Sequence, residues 1–230
     1  MADEPSQAEL WSHFQTQRSE VFTQARSRHY SLIRLAERLS SGRSLLNIGC
    51  GNAFLERVAL ARGWKVLSVD PDHRSVELVK STGVEARCGT IESLPVASES
   101  LHVVMCTEVF EHLTPHSLVE GLKEIRRALM PGGILIGTVP YRENLLDNEV
   151  FCPHCHQIFH RWGHHQSFDQ AKIRSVLGEY FSVVSVRASY FPDWQALNWR
   201  GKLLASVQCA LSLLGVYGAS AKLVFAASKT

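Results

Sequence analysis

Residues 44–54 read Ser-Leu-Leu-Asn-Ile-Gly-Cys-Gly-Asn-Ala-Phe, an apolar strand that runs into a glycine-rich turn and then a helix. A second apolar run, 65–69, ends on Asp70, about 20 residues after the turn. Gly49 and Gly51 let the backbone approach a ligand without interference from a Cβ atom. A carboxylate at the tip of the second strand can hold the two hydroxyls of a ribose. The pair of segments predicts a nucleoside-binding pocket.

The rest of the chain continues this alternation of strands and helices. Strands are predicted over 44–48, 65–69, 84–87, 101–106, 133–139, 181–189 and 222–228, and helices over 52–62, 72–81, 115–129 and 168–178. We expect Ser167 to be the N-cap of the last of these helices. The alternation predicts an α/β fold with a doubly wound, mostly parallel sheet, and a ligand at the carboxyl ends of its strands.

Leu45-Leu-Asn-Ile-Gly-Cys-Gly51 resembles the first motif of the class I S-adenosylmethionine-dependent methyltransferases. Four later landmarks of that family have counterparts, in order, at 66–71, 89–95, 101–112 and 129–140. The resemblance implies a Rossmann-like sheet of seven strands, whose last strand runs antiparallel between its two neighbours. A redox Rossmann enzyme is the main alternative. It would favour a third glycine where Ala53 stands, and it gives no reason for the Met-Pro-Gly-Gly turn at 130–133.

The resemblance also implies which residues hold the cofactor, S-adenosylmethionine. The methionine end is assigned to Asn47, Gly49, Cys50, Gly51 and Asn52, and the ribose to Asp70 and Pro71. Thr90, Ile91 and Glu92 are expected around the adenine, and the backbone of Cys106 and Thr107 is expected to close the floor of the pocket. Two positions depart from the family pattern. Asn47 replaces an acid, and Ala53 replaces a common glycine, a mild change where φ is negative. These departures leave a non-catalytic, cofactor-binding scaffold as an alternative, which a titration with S-adenosylhomocysteine would test.

Composition bounds the class of protein. With 230 residues, of which 45% are hydrophobic, the chain suits one α/β domain with modest additions. A net charge of +2 does not demand a polyanionic partner, so nucleic acid is not expected. The first residues carry acids and no apolar core, so no signal peptide is predicted. The six cysteines are expected to be thiols and metal ligands, and the location cytoplasmic.

The predicted organisation is an N-terminal helical cap over 1–40 and a methyltransferase domain over 41–230. The cap helices either close over the cofactor or cover one sheet edge. Two insertions interrupt the domain, a Cys/His-rich segment at 141–167 and an apolar helical segment at 192–219. We expect the specific function to lie in these two segments.

The Cys/His-rich segment contains two cysteines and five histidines within 151–165. A C-x-x-C pair opens many zinc knuckles, and histidines four residues apart can share one face. The segment therefore predicts a structural zinc ion with four ligands, Cys152, Cys155, His160 and His164, with His165 as a substitute for His164. A metal-free substrate-binding loop and a metal that takes part in chemistry are the alternatives.

Glu108, Glu111 and His112 follow the fourth predicted strand, at the mouth of the pocket. His112 is the first candidate for a general base because an imidazole titrates near neutral pH, and Glu111, His165 and Tyr141 are alternatives. His112 could instead cap the helix that follows. The E-x-x-E-H spacing also resembles the metal motif of small-RNA 2′-O-methyltransferases. That resemblance gives a metal-dependent RNA enzyme as a further alternative.

The stretch 203–219 carries no charge, but it is short and interrupted by polar residues. It predicts a buried or capping helix, or else an amphipathic lid that meets a lipid-linked acceptor or rests on a membrane. The predicted function is methylation, on oxygen rather than nitrogen, of a small-molecule acceptor such as a sugar or specialised metabolite. The acceptor itself and the oligomeric state are not predicted.

Overall fold

The computed structural model describes residues 25–154, 156–218 and 220–230. Most of the predicted N-terminal cap therefore lies outside the described residues, and so does Cys155. The part of the cap that is described forms one helix, α1, over Arg26–Leu39.

The described elements alternate as the sequence predicts. The strands are β1 Ser44–Ile48, β2 Lys65–Asp70, β3 Glu85–Cys88, β4 Leu101–Thr107, β5 Leu129–Pro140, β6 Glu149–Phe151, β7 Ile158–His160, β8 Ser182–Ser189 and β9 Lys222–Ser228. The other helices are α2 Phe54–Ala61, α3 His73–Ser81, α4 Pro115–Ala128, α5 Gln170–Gly178 and α6 Trp199–Leu213. Strands β6 and β7 form a separate two-stranded hairpin in the Cys/His-rich insertion.

The main sheet has seven strands in the order β3-β2-β1-β4-β5-β9-β8. The first five run parallel, and β9 pairs antiparallel with both β5 and β8. The prediction of a last strand antiparallel between its neighbours is confirmed. Because the order reverses between β1 and β4, the carboxyl ends of these strands open a crevice there, the usual ligand position in such sheets.

Side-chain caps explain where several helices begin. Asp72 accepts from the amide of Ser75 at the start of α3, and Thr114 accepts from the amide of Ser117 at the start of α4. The predicted N-cap at Ser167 is wrong. Asp169 caps α5 by accepting from the amide of Lys172, because the chain is still extended at Phe168, which bridges to Tyr141.

Both faces of the main sheet are covered, which holds the carboxyl-end crevice rigid. One face packs under α4 and α5 and includes Phe110, Phe168 and Phe225. The other packs under α1, α2 and α3 and includes Trp64. The near-continuous apolar character of the central strands follows from this two-sided burial.

The second insertion contains α6, which begins at Trp199, earlier than the uncharged stretch alone indicated. The side chain of Asn198 accepts from the amide of Gly201 and so caps this helix. Within residues 25–154, 156–218 and 220–230, none of the helices has the length and hydropathy that crossing a membrane requires.

Candidate functional site

A cavity of about 1590 Å³ lies at the carboxyl ends of β1, β2, β4 and β5. Pockets for single small molecules usually measure about 300–1,000 Å³. The cavity is therefore large enough for two ligands side by side. Its walls come from the loops after these strands, from α1, from the Cys/His-rich insertion and from α6.

The turn after β1 has the geometry of a ligand cradle. Gly49 and Gly51 have φ angles of +86° and +53°, in the left-handed region that favours glycine. A Cβ atom on Gly49 would lie 3.1 Å from a methyl of Val109 on the opposite wall. Ala53 also has a positive φ, +59°, so the expectation that alanine is mild there because φ is negative is wrong. Alanine bears that conformation at a cost of about 1 kcal/mol relative to glycine.

Asp70 is fixed at the tip of β2 by two backbone amides. Its Oδ2 accepts from Cys50 at 2.8 Å, and its Oδ1 accepts from Asp72 at 2.9 Å. Burial raises the pKa of Asp70, while the two amide hydrogen bonds oppose that rise. Because each carboxylate oxygen has a second lone pair, the group can still accept from a ligand hydroxyl in the cavity.

Asn47 replaces the acid of the family pattern, and a buried acid from helix α2, Glu56, lies beside it. Its Nδ2 donates to Oε1 of Glu56 at 2.7 Å and to the carbonyl of Gly49 at 3.1 Å. Ser68 donates to the same Glu56 oxygen at 2.8 Å, and burial raises the pKa of Glu56. Within the described part of the chain, Oδ1 of Asn47 is buried without a hydrogen-bond partner, and Asn47 lines the cavity. A buried acceptor without a hydrogen-bond partner suits an ammonium or hydroxyl group of a ligand, which can donate to it.

Sequence reasoning missed Glu56, although a signal was present. Glu56 is an acid among apolar residues in α2, on the face that also buries Leu55 and Val58. An acid on the buried face of a helix requires a partner, and the nearest polar residues on neighbouring strands are Asn47 and Ser68.

The remaining predicted cofactor residues divide into two groups. Those that line the cavity are Cys50, Asn52, Pro71, Thr90, Ile91, Glu92 and Thr107. Cys106 does not line it. Its side chain is buried in the core under α4 because successive residues of a strand point to opposite faces, so only Thr107 at the end of β4 reaches the ligand space.

Glu108 is the centre of an ion cluster on the cavity wall. The ammonium of Lys222 and, at 3.6 Å, the guanidinium of Arg28 contact its Oε2, while Thr138 donates to its Oε1 at 2.9 Å. Burial alone would raise the pKa of Glu108, but Arg28 and Lys222 outweigh this and lower it to about 2. Glu108 is therefore an ionised, fully engaged carboxylate that ties α1 and β9 to the end of β4.

Glu111, unlike Glu108, is a buried carboxyl without a hydrogen-bonded partner among the described residues. It is 1% exposed, and among the described residues neither carboxylate oxygen has a hydrogen-bond partner. Burial and the nearby charge of Glu108 raise its pKa well above the usual range. Its backbone carbonyl accepts from the amides of His165 and Gln166, which attaches the Cys/His-rich insertion to this loop. Glu111 lines the cavity, and the charges of Lys222 and Arg28 offset only part of the rise in its pKa.

His112 lines the cavity next to Glu111, in the 3-10 turn Phe110–His112. Its Nδ1 lies 3.2 Å from the carbonyl oxygen of Gly163, which only accepts, so Nδ1 carries the proton and Nε2 the lone pair. Burial, with the neighbouring His164, lowers the pKa of His112 to about 3. Of the other predicted catalytic residues, Tyr141 lines the cavity, whereas the side chain of His165 is exposed and does not.

Glu143 lies beside two histidines of the insertion and is hydrogen-bonded to one of them, His164. Its Oε2 lies 2.5 Å from Nδ1 of His164, and its Oε1 lies 3.6 Å from Nε2 of His160. Burial alone would raise the pKa of Glu143, but His164 and His160 outweigh it and lower the pKa. The ionised carboxylate accepts from Nδ1 of His164, which leaves the lone pair of that ring on Nε2.

The predicted four-ligand zinc set is not assembled among the described residues. Cys152 pairs with Gln157 at the tip of the β6–β7 hairpin, whereas His160 pairs with Glu149 at its base. The groups of ligand atoms that converge within the described residues include His160 and His164 but not Cys152. In addition, Nδ1 of His160 accepts from the amides of Trp162 and His164, so its lone pair is already used. Cys155 lies outside the described residues.

The seven-stranded sheet and the position of this cavity are those of the class I S-adenosylmethionine-dependent methyltransferase fold, and comparison with known proteins agrees. Residues 46–137 match the family described as "Methyltransferase domain".

Two relatives are named ubiquinone biosynthesis O-methyltransferase. The one from Parvibaculum lavamentivorans is 29% identical over 47% of this chain and 45% of its own length, and the one from a Methylobacterium species is 28% identical over 57% and 55%. The chain thus spans about half the length of the curated relatives it matches. A crystal structure of an S-adenosylmethionine-dependent methyltransferase from Methanosarcina mazei shares the fold, with a TM-score of 0.62 and 16% identity over 85% of this chain and 96% of that one.

Proposed function

We propose that this chain methylates a hydroxyl oxygen of an apolar small molecule, with S-adenosylmethionine as the methyl donor. The observation that carries the proposal is the continuous cavity that joins the Gly49–Asp70 cradle to the Glu111–His112 wall. S-adenosylmethionine supplies an electrophilic methyl group when it is bound. The residues of the chain must bind the cofactor, position the acceptor oxygen and remove its proton.

The cradle fits a charged nucleoside. The orphan Oδ1 of Asn47 suits the ammonium of an amino-acid moiety, and the carboxylate of Asp70 suits ribose hydroxyls. Thr90, Ile91 and Glu92 line the cavity farther along and would surround the base. Thr107, at the end of β4, would lie beneath the reacting centre.

His112 would accept the proton of the acceptor hydroxyl at Nε2. A pKa of about 3 makes this imidazole neutral but weakly basic at pH 7. A weak base is sufficient, because the hydroxyl proton becomes strongly acidic as its oxygen gives up a lone pair to form a bond. The raised pKa of Glu111 favours its neutral form, which is a poorer proton acceptor. The arrangement favours an acceptor that is already somewhat acidic, such as a phenol, with a pKa of about 10.

Apolar side chains in the cavity wall support a lipophilic acceptor. The cavity is lined by Val109, Leu113, Phe191, Leu197 and Leu204. The relatives named ubiquinone biosynthesis O-methyltransferase support transfer to an oxygen atom. This makes a lipid-like phenol a better proposal than the free sugar that the sequence alone left open.

Helix α6 supports delivery of such an acceptor from a membrane surface. Gly201, Ala205 and Gln208 line the cavity, while a second stripe at four-residue spacing faces outward. The stripe consists of Trp199, Leu203, Val207 and Leu211, which are 70%, 59%, 48% and 41% exposed. Residues 194–230 contain no Asp or Glu, and Arg200 and Lys202 lie beside the stripe. An apolar stripe flanked by cations suits the interface of a bilayer with anionic lipids.

RNA methylation is a weaker proposal for this site. A metal held by Glu108, Glu111 and His112 would require Glu108 as a ligand, and Arg28 with Lys222 already neutralises that carboxylate. Zinc at a cysteine knuckle stays a prediction, because Cys155 lies outside the described residues. A non-catalytic scaffold would bind S-adenosylhomocysteine and methylate nothing.

Turnover tests the proposal directly. The full chain would be incubated with labelled S-adenosylmethionine, detergent-dispersed phenols and matched free sugars, and the products separated by extraction. We expect methyl transfer to phenolic oxygen and a loss of about 100-fold in His112→Gln, with the affinity for S-adenosylhomocysteine retained. Cofactor binding without transfer to any of these acceptors would instead identify a scaffold.

A further inference from the structure

We propose that Glu143 is a positioning residue for the general base His112, and that it acts through Gly163 and His164 of the Cys/His-rich insertion. The contacts themselves do not depend on the proposed activity. Their effect on turnover rests on the proposed function.

His112 depends on a residue far along the chain for the tautomer that the reaction needs. A neutral imidazole can carry its proton on either ring nitrogen, and the hydrogen bond made by one nitrogen decides which form is present. Nδ1 of His112 lies 3.2 Å from the carbonyl oxygen of Gly163. That oxygen keeps the proton on Nδ1 and leaves the lone pair of Nε2 for the proton of the acceptor.

The hydrogen bond from His112 is sensitive to the placement of Gly163. A distance of 3.2 Å is at the upper end of the usual range for a nitrogen donor and an oxygen acceptor, so a small outward shift would break the bond. The amides of Gly163 and His164 donate to the carbonyl and to Nδ1 of His160, at 2.8 and 3.0 Å. These bonds make 160–164 one compact turn. The position of the Gly163 carbonyl therefore depends on what anchors this turn to the sheet.

Glu143 provides that anchor. It lies shortly after the end of β5 at Pro140, and its Oε2 accepts from Nδ1 of His164, the residue next to Gly163, at 2.5 Å. Its Oε1 accepts from Asn148 at 2.9 Å, so both oxygens are held. The side chain of Glu143 is only 13% exposed, and a charge-assisted hydrogen bond that is shielded from water is a strong one.

His164 also contacts His112 directly. The two ring centres are 4.6 Å apart and the ring planes meet at 72°, an edge-to-face contact. Because Glu143 binds Nδ1 of His164, it also fixes the orientation of this ring. Two consecutive residues of the insertion thus contact the base, Gly163 through its carbonyl and His164 through its ring.

The rest of the insertion is attached without the side chain of Glu143. The amides of His165 and Gln166 donate to the carbonyl of Glu111 at 2.7 and 3.2 Å. Replacement of Glu143 would leave these two bonds in place and release only the turn 160–164. A variant of Glu143 can therefore stay folded while His112 loses its partner.

The tautomer of His112 in the full chain tests the proposal without reference to turnover. With isotope-labelled histidine, the ring nitrogens of His112 would be observed by nuclear magnetic resonance at pH 7 and assigned by comparison with His112→Gln. We expect one form in wild type, with the proton on Nδ1, and a mixture of both neutral forms in Glu143→Ala. Glu143→Gln, whose amide oxygen can still accept from His164, should keep the wild-type form.

Steady-state kinetics on a phenolic acceptor gives a second readout. In Glu143→Ala we expect kcat to fall about tenfold, because His112 is then in the productive tautomer for only part of the time. The KM for the acceptor and the affinity for S-adenosylhomocysteine should stay within about twofold of wild type. Glu149→Ala is the matched control, because Glu149 is an exposed acid on β6 of the same insertion, and it should behave as wild type does in both readouts.

Three results would overturn the positioning role. They are a wild-type His112 with its proton on Nε2, a wild-type tautomer and kcat in Glu143→Ala, and equal losses in Glu143→Ala and Glu149→Ala. A tautomer that shifts in Glu143→Ala, in a chain that methylates no acceptor, supports the positioning role and contradicts only the proposed function. An unchanged tautomer in a chain that methylates phenols contradicts only the positioning role.

Discussion

Nδ2 of Asn47 donates to Oε1 of Glu56 across 2.7 Å, so the acid next to the cofactor cradle comes from helix α2 and not from strand β1. Ser68 on β2 donates to the same oxygen. The amide at position 47 can donate to the buried carboxyl and still direct its oxygen into the cavity, which an acid at that position could not do. The departure from the family pattern is therefore compensated within the core.

Restoring the family acid should destabilise the protein. Asn47→Asp places a second carboxyl beside Glu56 and removes a donor, which we expect to cost about 2 kcal/mol in the free energy of unfolding. The double variant Asn47→Asp/Glu56→Gln should recover most of that loss, because the amide introduced on α2 can donate to the carboxylate introduced on β1. Urea unfolding of the three proteins measures both effects. Equal stability of Asn47→Asp and wild type would contradict the proposed network.

Replacing Glu108 by Gln and replacing Glu111 by Gln should change the free energy of unfolding at pH 7 in opposite directions. The pKa of Glu108 falls to about 2 in the folded chain, so its contribution is complete above its unfolded pKa and is lost as the pH falls toward 2. Glu108→Gln should therefore cost on the order of 2–3 kcal/mol at pH 7 and progressively less below pH 4.5.

The pKa of Glu111 is raised in the folded chain, so wild type loses stability as the pH rises above the unfolded pKa of this group. Glu111→Gln should therefore stabilise the metal-free protein at pH 7 and have little effect at pH 4. Thermal unfolding at both pH values measures the two variants, with Glu77→Gln on the exposed face of α3 as a near-neutral control. Destabilisation by Glu111→Gln at pH 7 in chelator would contradict the unpaired state of this carboxyl.

The outward stripe of α6 should bind lipid. Leu203→Ser/Val207→Ser removes two exposed apolar side chains, and binding to anionic phosphatidylglycerol vesicles should fall at least about tenfold in a sedimentation assay. Val184→Ser is the matched control, because Val184 is similarly exposed but lies on β8. Wild-type protein that stays in the supernatant would contradict the membrane proposal, and the acceptor would then have to arrive from solution.

The alternation of strands and helices and the cradle could be predicted because they depend on local patterns. Strand periodicity, the glycines at 49 and 51 and Asp70 are each visible within a few residues. The contacts that complete the site join residues far apart in the chain, such as Glu108 with Lys222 and His112 with Gly163. Spacing alone suggested that His160 and His164 share a site with Cys152. Within the described residues His160 and His164 converge with Glu143 and not with Cys152, and no short motif encodes that partner.

Binding of S-adenosylhomocysteine to the purified full chain, measured by calorimetry in wild type and in Asp70→Asn, tests the central claim most directly. The account predicts one binding site in wild type and an affinity at least about tenfold lower in Asp70→Asn, because a neutral amide loses the charge-assisted bonds to the ribose hydroxyls. Thermal unfolding of both proteins shows whether the variant remains folded. No binding by wild type, or equal affinity in a folded Asp70→Asn, would contradict the assignment of this cavity to S-adenosylmethionine.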